Sequence, residues 1–216
     1  MNVRRLGTID YQAALDLQKR LVEERKQGLI PDQLLLLEHP HVITLGARNH
    51  NASSNVLETP EALARRGEAV FETGRGGDVT YHGPGQLVGY PIIELPKERR
   101  DVHRYVRDLE EVLIQAVSDF GITAARVPGL TGIWCGDEKL AAIGVRISRW
   151  VTSHGFALNV STDLSHFGLI VPCGIADKGV TSMERLLGRP VPMAEVADAV
   201  VRRFAGVFRA APTTSK

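Results

Sequence analysis

Residues 75–86, RGGDVTYHGPGQ, constrain the fold of this chain more than any other stretch. They hold four glycines, one proline and three ionisable side chains, Arg75, Asp78 and His82. A hydrophobic core needs no such composition, whereas glycine lets a backbone pass close to another group and adopt unusual dihedral angles. Val79 and Tyr81 alternate with polar neighbours, which predicts a short strand with one polar face. Composition alone leaves two interpretations open, a glycine-rich hairpin or the wall of a ligand pocket.

The composition is that of an ordinary globular domain. The chain has 216 residues, 44% of them hydrophobic and 24% charged, and a net charge of +1. This balance favours neither nucleic acid nor an acidic membrane as a partner. Residues 1–5 lead into no long apolar run, so we expect no signal peptide, and we expect no membrane span. The two cysteines, Cys135 and Cys173, are too few for a disulfide framework and suggest a reducing cytoplasm.

Hydrophobic periodicity and capping residues predict the order of the elements. Helices are predicted at 10–27, from Thr59 onward, at 101–120, after Thr181 and at 193–208. Strands are predicted at 33–38, 41–46, 68–72, within 78–82 and 86–95, and at 122–127, 130–135, 139–146 and 151–161. The leucine run at 33–38 indicates a strand buried on both faces, with 41–46 as its neighbour. The residues from Thr181 to Glu184 match a capping box.

Interspersed helices and strands, several of them joined by hairpin-length turns, indicate the α+β class (α/β in the broad sense). We expect one domain over residues 1–210, with a mixed sheet and helices packed on it. Residues 211–216 are expected to form a frayed tail.

A second informative stretch is Pro172-Cys173-Gly174, which follows an apolar, strand-like run. Proline and glycine place the thiol at a bend, where it could be presented to a pocket as a nucleophile. The alternative is a buried structural thiol. Cys135 lies in an apolar strand without a bend and is interpreted as packing.

A nucleophilic thiol needs a cationic or basic neighbour, because an ordinary thiol with a pKa of about 8.5 is mostly protonated at neutral pH. The residues leave four candidates for that neighbour: Lys139, His82, His154 and Lys178.

Two common kinds of site are absent from the sequence. It has no Gly-x-x-x-x-Gly-Lys-Ser/Thr loop for nucleotide phosphates and no His-Glu-x-x-His metal motif. His39-Pro40-His41 is a weak metal candidate without an evident third ligand.

Three stretches together resemble the lipoyl(octanoyl) transferases, also called the lipoate–protein ligase B family. They are RGGDVTYHGPGQ at 75–86, KLAAIG at 139–144 followed by HGFALN at 154–159, and Pro172-Cys173-Gly174. The resemblance extends over nearly the whole chain and implies a single domain of the biotin- and lipoate-ligase type. Cys135 stands where the family commonly has an apolar residue, in agreement with a packing role.

The resemblance also implies a reaction. An octanoyl (or lipoyl) group leaves acyl carrier protein, is held as a thioester on a cysteine and passes to a lysine of a lipoyl domain. The acceptors would be lipoyl domains of 2-oxoacid dehydrogenase complexes and the glycine-cleavage H protein. The resemblance implies an acyltransferase that needs no ATP and no metal, and we expect a cytoplasmic monomer that binds neither nucleic acid nor membrane.

The same resemblance assigns roles to residues. Cys173 corresponds to the acyl-thioester nucleophile, and Lys139 to the group that lowers its pKa and shuttles protons. His154 has a supporting role. The acyl-binding walls correspond to Arg75, Gly76, Gly77, Asp78, Val79, Thr80, Tyr81, His82, Ala142, Ile143, Gly144, Gly155, Phe156 and Ala157.

Three other functions share parts of this pattern. An ATP-dependent lipoate or biotin ligase of the same fold would need an adenylate site and no thiol. An amidotransferase would take octanoate from one lipoyl domain and give it to another. A non-catalytic acyl-binding module would hold the chain without forming a thioester.

Overall fold

The structure is a computed structural model that describes residues 1–47, 55–171 and 178–209. The helices are α1 Tyr11–Lys26, α2 Pro60–Arg65, α3 Val102–Ser118, α4 Met183–Leu187 and α5 Met193–Arg209, with 3-10 turns at Lys97–Arg99 and Leu164–Leu169. The strands are β1 Asn2–Thr8, β2 Gln33–Glu38, β3 Val42–Leu45, β4 Ala69–Glu72, β5 Val79–His82, β6 Gln86–Ile92, β7 Ala125–Val127, β8 Leu130–Cys135, β9 Glu138–Ser148, β10 Val151–Asn159 and β11 Gly179–Val180.

Within this part of the chain the strands form an eight-stranded and a three-stranded sheet. The large sheet has the order β1-β2-β6-β10-β9-β8-β7, and β11 pairs with β9. The β1–β2 and β9–β11 pairs are parallel and the others antiparallel, so the predicted mixed sheet is confirmed. The small sheet has the order β4-β3-β5. No helix among the described residues is long and apolar enough to span a membrane.

The large sheet is covered on both faces by helices. Leu34 and Leu36 of β2 contribute to the core that α3 and α5 cover. Leu35 and Leu37 contribute to the core on the α1 side. The leucine run is therefore buried on both faces, as predicted, because successive side chains of a strand point to opposite faces.

The helix starts follow from their capping residues. The Asp10 carboxylate accepts hydrogen bonds from the N–H groups of Gln12 and Ala13, at 2.8 and 3.1 Å. Asp101 caps α3 in the same way through the N–H of Arg104, at 2.9 Å. Such caps satisfy donors that have no partner within the helix.

The capping prediction at α4 is wrong by one residue. Ser182, and not Thr181, is the N-cap, and its hydroxyl accepts from the N–H of Arg185 at 3.3 Å. Glu184 accepts instead from the N–H of Val191 at 3.0 Å, so its carboxylate ties α4 to the chain that leads into α5.

One prediction about the strands is also wrong, and one strand was not predicted. The strand predicted at 41–46 is not a neighbour of β2, since β3 pairs with β4 and β5 in the small sheet. The neighbours of β2 are β6 and β1, and β1 was not predicted. Its alternation is weak because arginines and a glycine interrupt it, and one parallel neighbour is enough to hold it.

The predicted core stripe of α3 holds only in part. Leu109, Leu113 and Ala116 are fully buried. Val102 is 46% exposed, and both Val102 and Val106 lie on the wall of a cavity described below. Helical spacing placed these two residues on the core side, but they line the cavity instead.

Glu110 of α3 fixes the start of β8. Its side chain is fully buried, accepts the N–H of Gly132 at 3.0 Å, and pairs with Arg107 at 2.6 Å and Arg126 at 3.1 Å. Since Gly129 and Thr131 line the same cavity, this carboxylate helps to shape one side of its rim.

We expect Glu110→Ala to lower the free energy of unfolding by about 1–3 kcal/mol, because the N–H of Gly132 would remain buried without an acceptor. The matched control is Glu111→Ala, whose side chain is 38% exposed and whose ion pair should contribute about 0–1 kcal/mol. Chemical denaturation measures both variants. Equal losses would contradict the role assigned to Glu110.

Candidate functional site

The glycine-rich segment joins the two sheets. The N–H of Gly46, after β3, donates to the carbonyl of Asp78 at 3.0 Å, and the N–H of Ala47 donates to the carbonyl of Arg75 at 2.9 Å. On the other side, the N–H of Gly76 donates to the carbonyl of Val145 on β9 at 2.9 Å. The segment is therefore a bridge between β3 and β9, and its last residues form β5 as predicted.

Close backbone contact explains the glycines around this bridge. A Cβ on Gly46 would lie 2.3 Å from the carbonyl oxygen of Gly77, and a Cβ on Gly144 would lie 2.8 Å from that of Gly76. Gly77 also has a φ of +89°, a left-handed conformation that other residues rarely adopt. A larger residue at Gly46 or Gly144 would therefore push the bridge away from the sheets, and a larger residue at Gly77 would strain the backbone.

Arg75 holds the bridge in place. Its side chain is buried, and its guanidinium donates to the carbonyl of Thr44 at 2.7 Å, to the hydroxyl of Thr44 at 2.8 Å and to the carbonyl of Gly76 at 3.2 Å. These contacts lie within the protein, so Arg75 positions the wall as well as forming part of it.

A cavity of about 670 Å³ opens between the bridge and the large sheet. This volume lies within the range typical of small-molecule sites, about 300–1,000 Å³. The cavity is lined by these residues named in the sequence analysis: Arg75, Gly76, Gly77, Asp78, Val79, Thr80, His82, Lys139, Ala142, Ile143, Gly144, His154, Gly155, Phe156 and Ala157. Three stretches far apart in sequence are thus brought to one place by the pairing of β5, β9 and β10 with their neighbours.

Tyr81 is the exception among the predicted wall residues. Its ring is fully buried in the core of the small sheet, 4.9 Å from the ring of His166. Its hydroxyl lies 2.7 Å from Nδ1 of His41. Side chains alternate along β5, so Tyr81 faces away from the side that carries Thr80 and His82. Tyr81 therefore lies outside the lining of the cavity in the described structure.

The floor of the cavity depends on tight contact between β6 and β10. A Cβ on Gly155 would lie 2.2 Å from the carbonyl oxygen of Gly89, and a Cβ on Gly89 would lie 2.0 Å from the ring of Phe156. Phe156 lines the cavity, and its ring occupies the space that a side chain at position 89 would need.

Two of the histidines that line the cavity, His82 and His154, are kept uncharged at neutral pH. Burial lowers the pKa of His82 to about 3, helped by the nearby rings and charges of His39, Arg75 and His154. Burial, and then the positive charges of Arg75 and Arg146, lower the pKa of His154 to about 4. These two side chains therefore offer polar but neutral groups to the cavity.

His154 has an unusual backbone. Its φ is +55°, in the left-handed region, and its N–H donates to the side-chain carbonyl of the buried Gln18 at 2.8 Å. Left-handed residues other than glycine cost free energy and cluster at functional sites. Here α1, which carries Gln18, supplies the partner that holds the strained residue.

Of Lys139 and the two cysteines, the structure describes Lys139 and Cys135. Lys139 is half-buried on β9, lines the cavity, and lies with its Nζ 4.8 Å from the centre of the Trp134 ring. Cys173, Pro172 and Gly174 lie outside the described residues. Burial, and then the charge of Glu138, raise the pKa of the Cys135 thiol, which is the opposite of what a nucleophile requires.

The other candidates for a basic neighbour or a metal ligand have defined places. Lys178 pairs with Asp137 at the β8–β9 turn. His39 contacts the carbonyl of Ile9 and the hydroxyl of Tyr90, each at 2.8 Å. No group of three or more metal-ligating side chains forms among the residues that the structure describes, so the weak metal candidate gains no support there.

Several lining residues were not predicted. They are Tyr11, Gln86, Tyr90, Val102, His103, Val106, Arg107, Gly129, Leu130, Thr131, Val145, Asn159, Phe167 and Val180. The signal for Gln86 and Asn159 was a polar residue at the end of an otherwise apolar strand. No local pattern distinguishes Tyr11, which the spacing along α1 assigned simply to the core.

Comparison with known proteins places the chain among enzymes of lipoate attachment. Residues 10–205 match the family model described as the lipoyl protein ligase A/B catalytic domain. A protein of Solibacter usitatus named octanoyltransferase is 58% identical over 206 residues, which cover 95% of this chain and 92% of that one. The octanoyltransferase of Myxococcus xanthus is 55% identical over 96% of this chain, which spans 59% of the length of that relative.

A solved structure has the same fold. Lipoate-protein ligase A bound with ATP superposes with a TM-score of 0.76 at 16% identity, over 97% of this chain and 86% of that one. At this identity the likeness concerns the fold alone, and it confirms the predicted ligase-like architecture.

Thermal unfolding at different pH values tests the setting of His154. An unfolded histidine has a pKa of about 6.5 and folded His154 one of about 4. The unfolded chain thus binds more protons between these values, and stability is lost as the pH falls through that window. We expect the drop in Tm from about pH 7 to about pH 5 to be smaller in His154→Asn than in the wild type, since asparagine tolerates a left-handed backbone.

The control for this prediction is His103→Asn, because His103 is exposed on α3. That variant should keep the wild-type dependence of Tm on pH. A drop in His154→Asn as large as that of the wild type would contradict the neutral, buried state of His154.

Proposed function

Because the chain belongs to the lipoyl protein ligase A/B catalytic domain family, we propose, as its function, octanoyl transfer in protein lipoylation. The observation that carries this function is the identity of 50–58% to several proteins named octanoyltransferase, over nearly the whole chain. The cavity supports it, because neutral walls of glycine, alanine, isoleucine and phenylalanine suit a saturated acyl chain. The enzyme is an acyltransferase.

The finer proposal is a two-step transfer through Cys173. The thiolate attacks the thioester carbonyl of octanoyl–acyl carrier protein; a new C–S bond forms, and the pantetheine sulfur leaves with the electron pair of the old one. The amine of a lipoyl-domain lysine then attacks the same carbon. The C–N bond forms, the C–S bond to Cys173 breaks, and the amine gives up a proton. Thioester exchange is nearly balanced and amide formation is downhill, so the reaction needs no ATP.

Lys139 is proposed to activate the thiol. A positive neighbour favours the thiolate, and lowering the pKa of a thiol by roughly two would make it mostly ionised at neutral pH. Support comes from the strand pairing beyond Cys173, where Val180 of β11 lies opposite Lys139. The chain that carries the nucleophile therefore returns to the described structure beside the lysine, and both Lys139 and Val180 line the cavity.

The remaining expectations complete the proposal. The acyl donor is acyl carrier protein. The acceptors are lipoyl domains of 2-oxoacid dehydrogenase complexes and the glycine-cleavage H protein. The enzyme acts in the cytoplasm as a monomer, without metal or nucleotide, and residues 1–210 form its catalytic domain.

The first test is the intact mass of the protein after incubation with octanoyl–acyl carrier protein. We expect an added octanoyl group that hydroxylamine releases, and we expect Cys173→Ser to lose both this adduct and transfer. Cys135→Ser is the matched control and should keep loading, because its half-buried thiol serves packing. Loss of loading in both folded variants would contradict the assignment of Cys173. Transfer that requires ATP would favour a ligase, and octanoylated lipoyl domain as the better donor would favour an amidotransferase.

The role of Lys139 is tested in the Cys135→Ser background, where Cys173 is the remaining thiol. The rate of iodoacetamide alkylation as a function of pH reports the pKa of that thiol. Lys139→Ala should raise this pKa toward about 8.5. Lys139→Arg should keep part of the effect but transfer poorly, because arginine cannot act as a neutral base.

Lys178→Ala is the control for charge in the same region, since Lys178 pairs with Asp137. Its alkylation profile should overlay that of the Cys135→Ser parent. A profile that moves in Lys178→Ala and not in Lys139→Ala would transfer the activating role to Lys178.

A further inference from the structure

A chain of buried hydrogen bonds runs beneath His82 that the proposed mechanism does not use. Nδ1 of His82 lies 2.8 Å from the side-chain oxygen of Gln86. The Gln86 amide nitrogen lies 2.9 Å from the side-chain oxygen of Asn159, and the Asn159 amide nitrogen lies 3.0 Å from the carbonyl oxygen of Thr181. All four residues are at most 7% exposed.

The carbonyl of Thr181, at the end of this series, determines which group donates and which accepts in every hydrogen bond of the series. The Thr181 carbonyl can only accept, so Asn159 must direct its NH₂ group there and its oxygen toward Gln86. Gln86 must then direct its NH₂ group toward Asn159, and the carbonyl of Tyr81, 3.2 Å from the same nitrogen, requires the same orientation. The oxygen of Gln86 therefore faces His82, and Nδ1 must carry the hydrogen of the ring.

The surroundings of His82 keep this ring neutral. Its ring stacks on Tyr11, with centroids 6.2 Å apart, and lies 5.8 Å from that of His39. Burial in this aromatic setting lowers its pKa to about 3. With Nδ1 committed to Gln86, the nitrogen left for a ligand is Nε2, and in the Nδ1–H form this nitrogen is a hydrogen-bond acceptor.

At its other end, this series of hydrogen bonds reaches β9, the strand that carries Lys139. The N–H of Thr181 donates to the carbonyl of Lys139 at 3.0 Å. The cavity described above is lined by His82, Gln86, Asn159 and Lys139. A fixed acceptor and the proposed activating lysine are thus held by one hydrogen-bonded frame.

We propose that Gln86 and Asn159 are positioning residues that hold His82 as the Nδ1–H tautomer, so that Nε2 accepts a hydrogen bond from the primary amine of the acyl acceptor. The inference rests on the proposed function. An octanoyl tail carries no N–H or O–H donor, whereas the amine of the acceptor carries N–H groups and enters only in the second step.

The chemistry assigned to His82 is orientation. One N–H of the neutral amine points at Nε2, and the nitrogen lone pair points at the thioester carbon. As the C–N bond forms, the C–S electron pair moves to the sulfur of Cys173. The surplus proton of the amine passes to Lys139, which became neutral in the first step when it gave its proton to the leaving pantetheine thiolate. His82 takes no proton, in keeping with its low pKa.

The tautomer can be measured on the wild-type protein without any reaction. Long-range ¹H–¹⁵N correlation spectra distinguish Nδ1–H from Nε2–H rings, and the spectrum of His82→Gln assigns the signal by its loss. We expect the Nδ1–H form near neutral pH. The Nε2–H form or an imidazolium in the wild type would overturn the proposal.

Kinetics of the two half-reactions test the role in transfer. In Gln86→Met we expect loading by octanoyl–acyl carrier protein to change at most about twofold and single-turnover transfer to the lysine to slow roughly tenfold, the worth of one hydrogen bond. The matched control is Gln33→Met, because Gln33 of β2 is also buried, 4% exposed, and donates to the carbonyl of Pro31. It should keep both rates.

Three results would overturn the role in transfer: equal slowing of loading and transfer in folded Gln86→Met, unchanged transfer in that variant, or the same selective loss in Gln33→Met. Equal slowing would indicate that Nε2 binds the pantetheine arm of the donor instead. Absence of loading in the wild type would refute the proposed function, while the tautomer measurement would still decide whether the hydrogen-bonded chain fixes His82.

Discussion

The site depends on the contact of one irregular backbone segment with two sheets. Residues 75–78 lie between β3 and β9 at distances that exclude a Cβ on either side, at Gly46 and at Gly144. Arg75 reinforces the contact through hydrogen bonds to backbone and hydroxyl oxygens. Because a buried guanidinium without such partners would be costly, this arginine and the bridge stabilise each other. The cavity is lined both by this bridge and by β9 and β10 of the large sheet.

Much of this fold could be predicted from local pattern. The strand at 33–38 and the helices capped by Asp10 and Asp101 were predicted because hydrophobic period and capping chemistry act within a few residues. The partner of β3 could not be predicted, since pairing depends on which edge is free once the whole sheet has formed. The same holds for β1, whose place is fixed by its register with β2.

The candidate site shows the same division. Glycines and histidines pointed to the correct stretches, and the structure brings nearly all of them to one cavity. Tyr81 does not line the cavity, because a motif marks a stretch of chain but not the face of the strand on which each member lies. Val102 and Val106 failed for a related reason, because helical spacing cannot tell a core from a cavity wall. Burial and hydrogen-bond direction at Gln86 and Asn159 become visible only when the strands are placed side by side.

The packing of Phe156 on Gly89 bears on how enzymes of this kind could change their choice of chain length. Gly89 does not line the cavity in the described structure, yet any side chain there would strike the ring of Phe156 and displace it. The space available to a ligand therefore depends partly on Gly89, a residue that does not line the cavity. Natural variation at such a hidden position could shorten the accepted chain while every residue in contact with the substrate stays the same. A comparison restricted to contact residues would then find no cause for the altered preference.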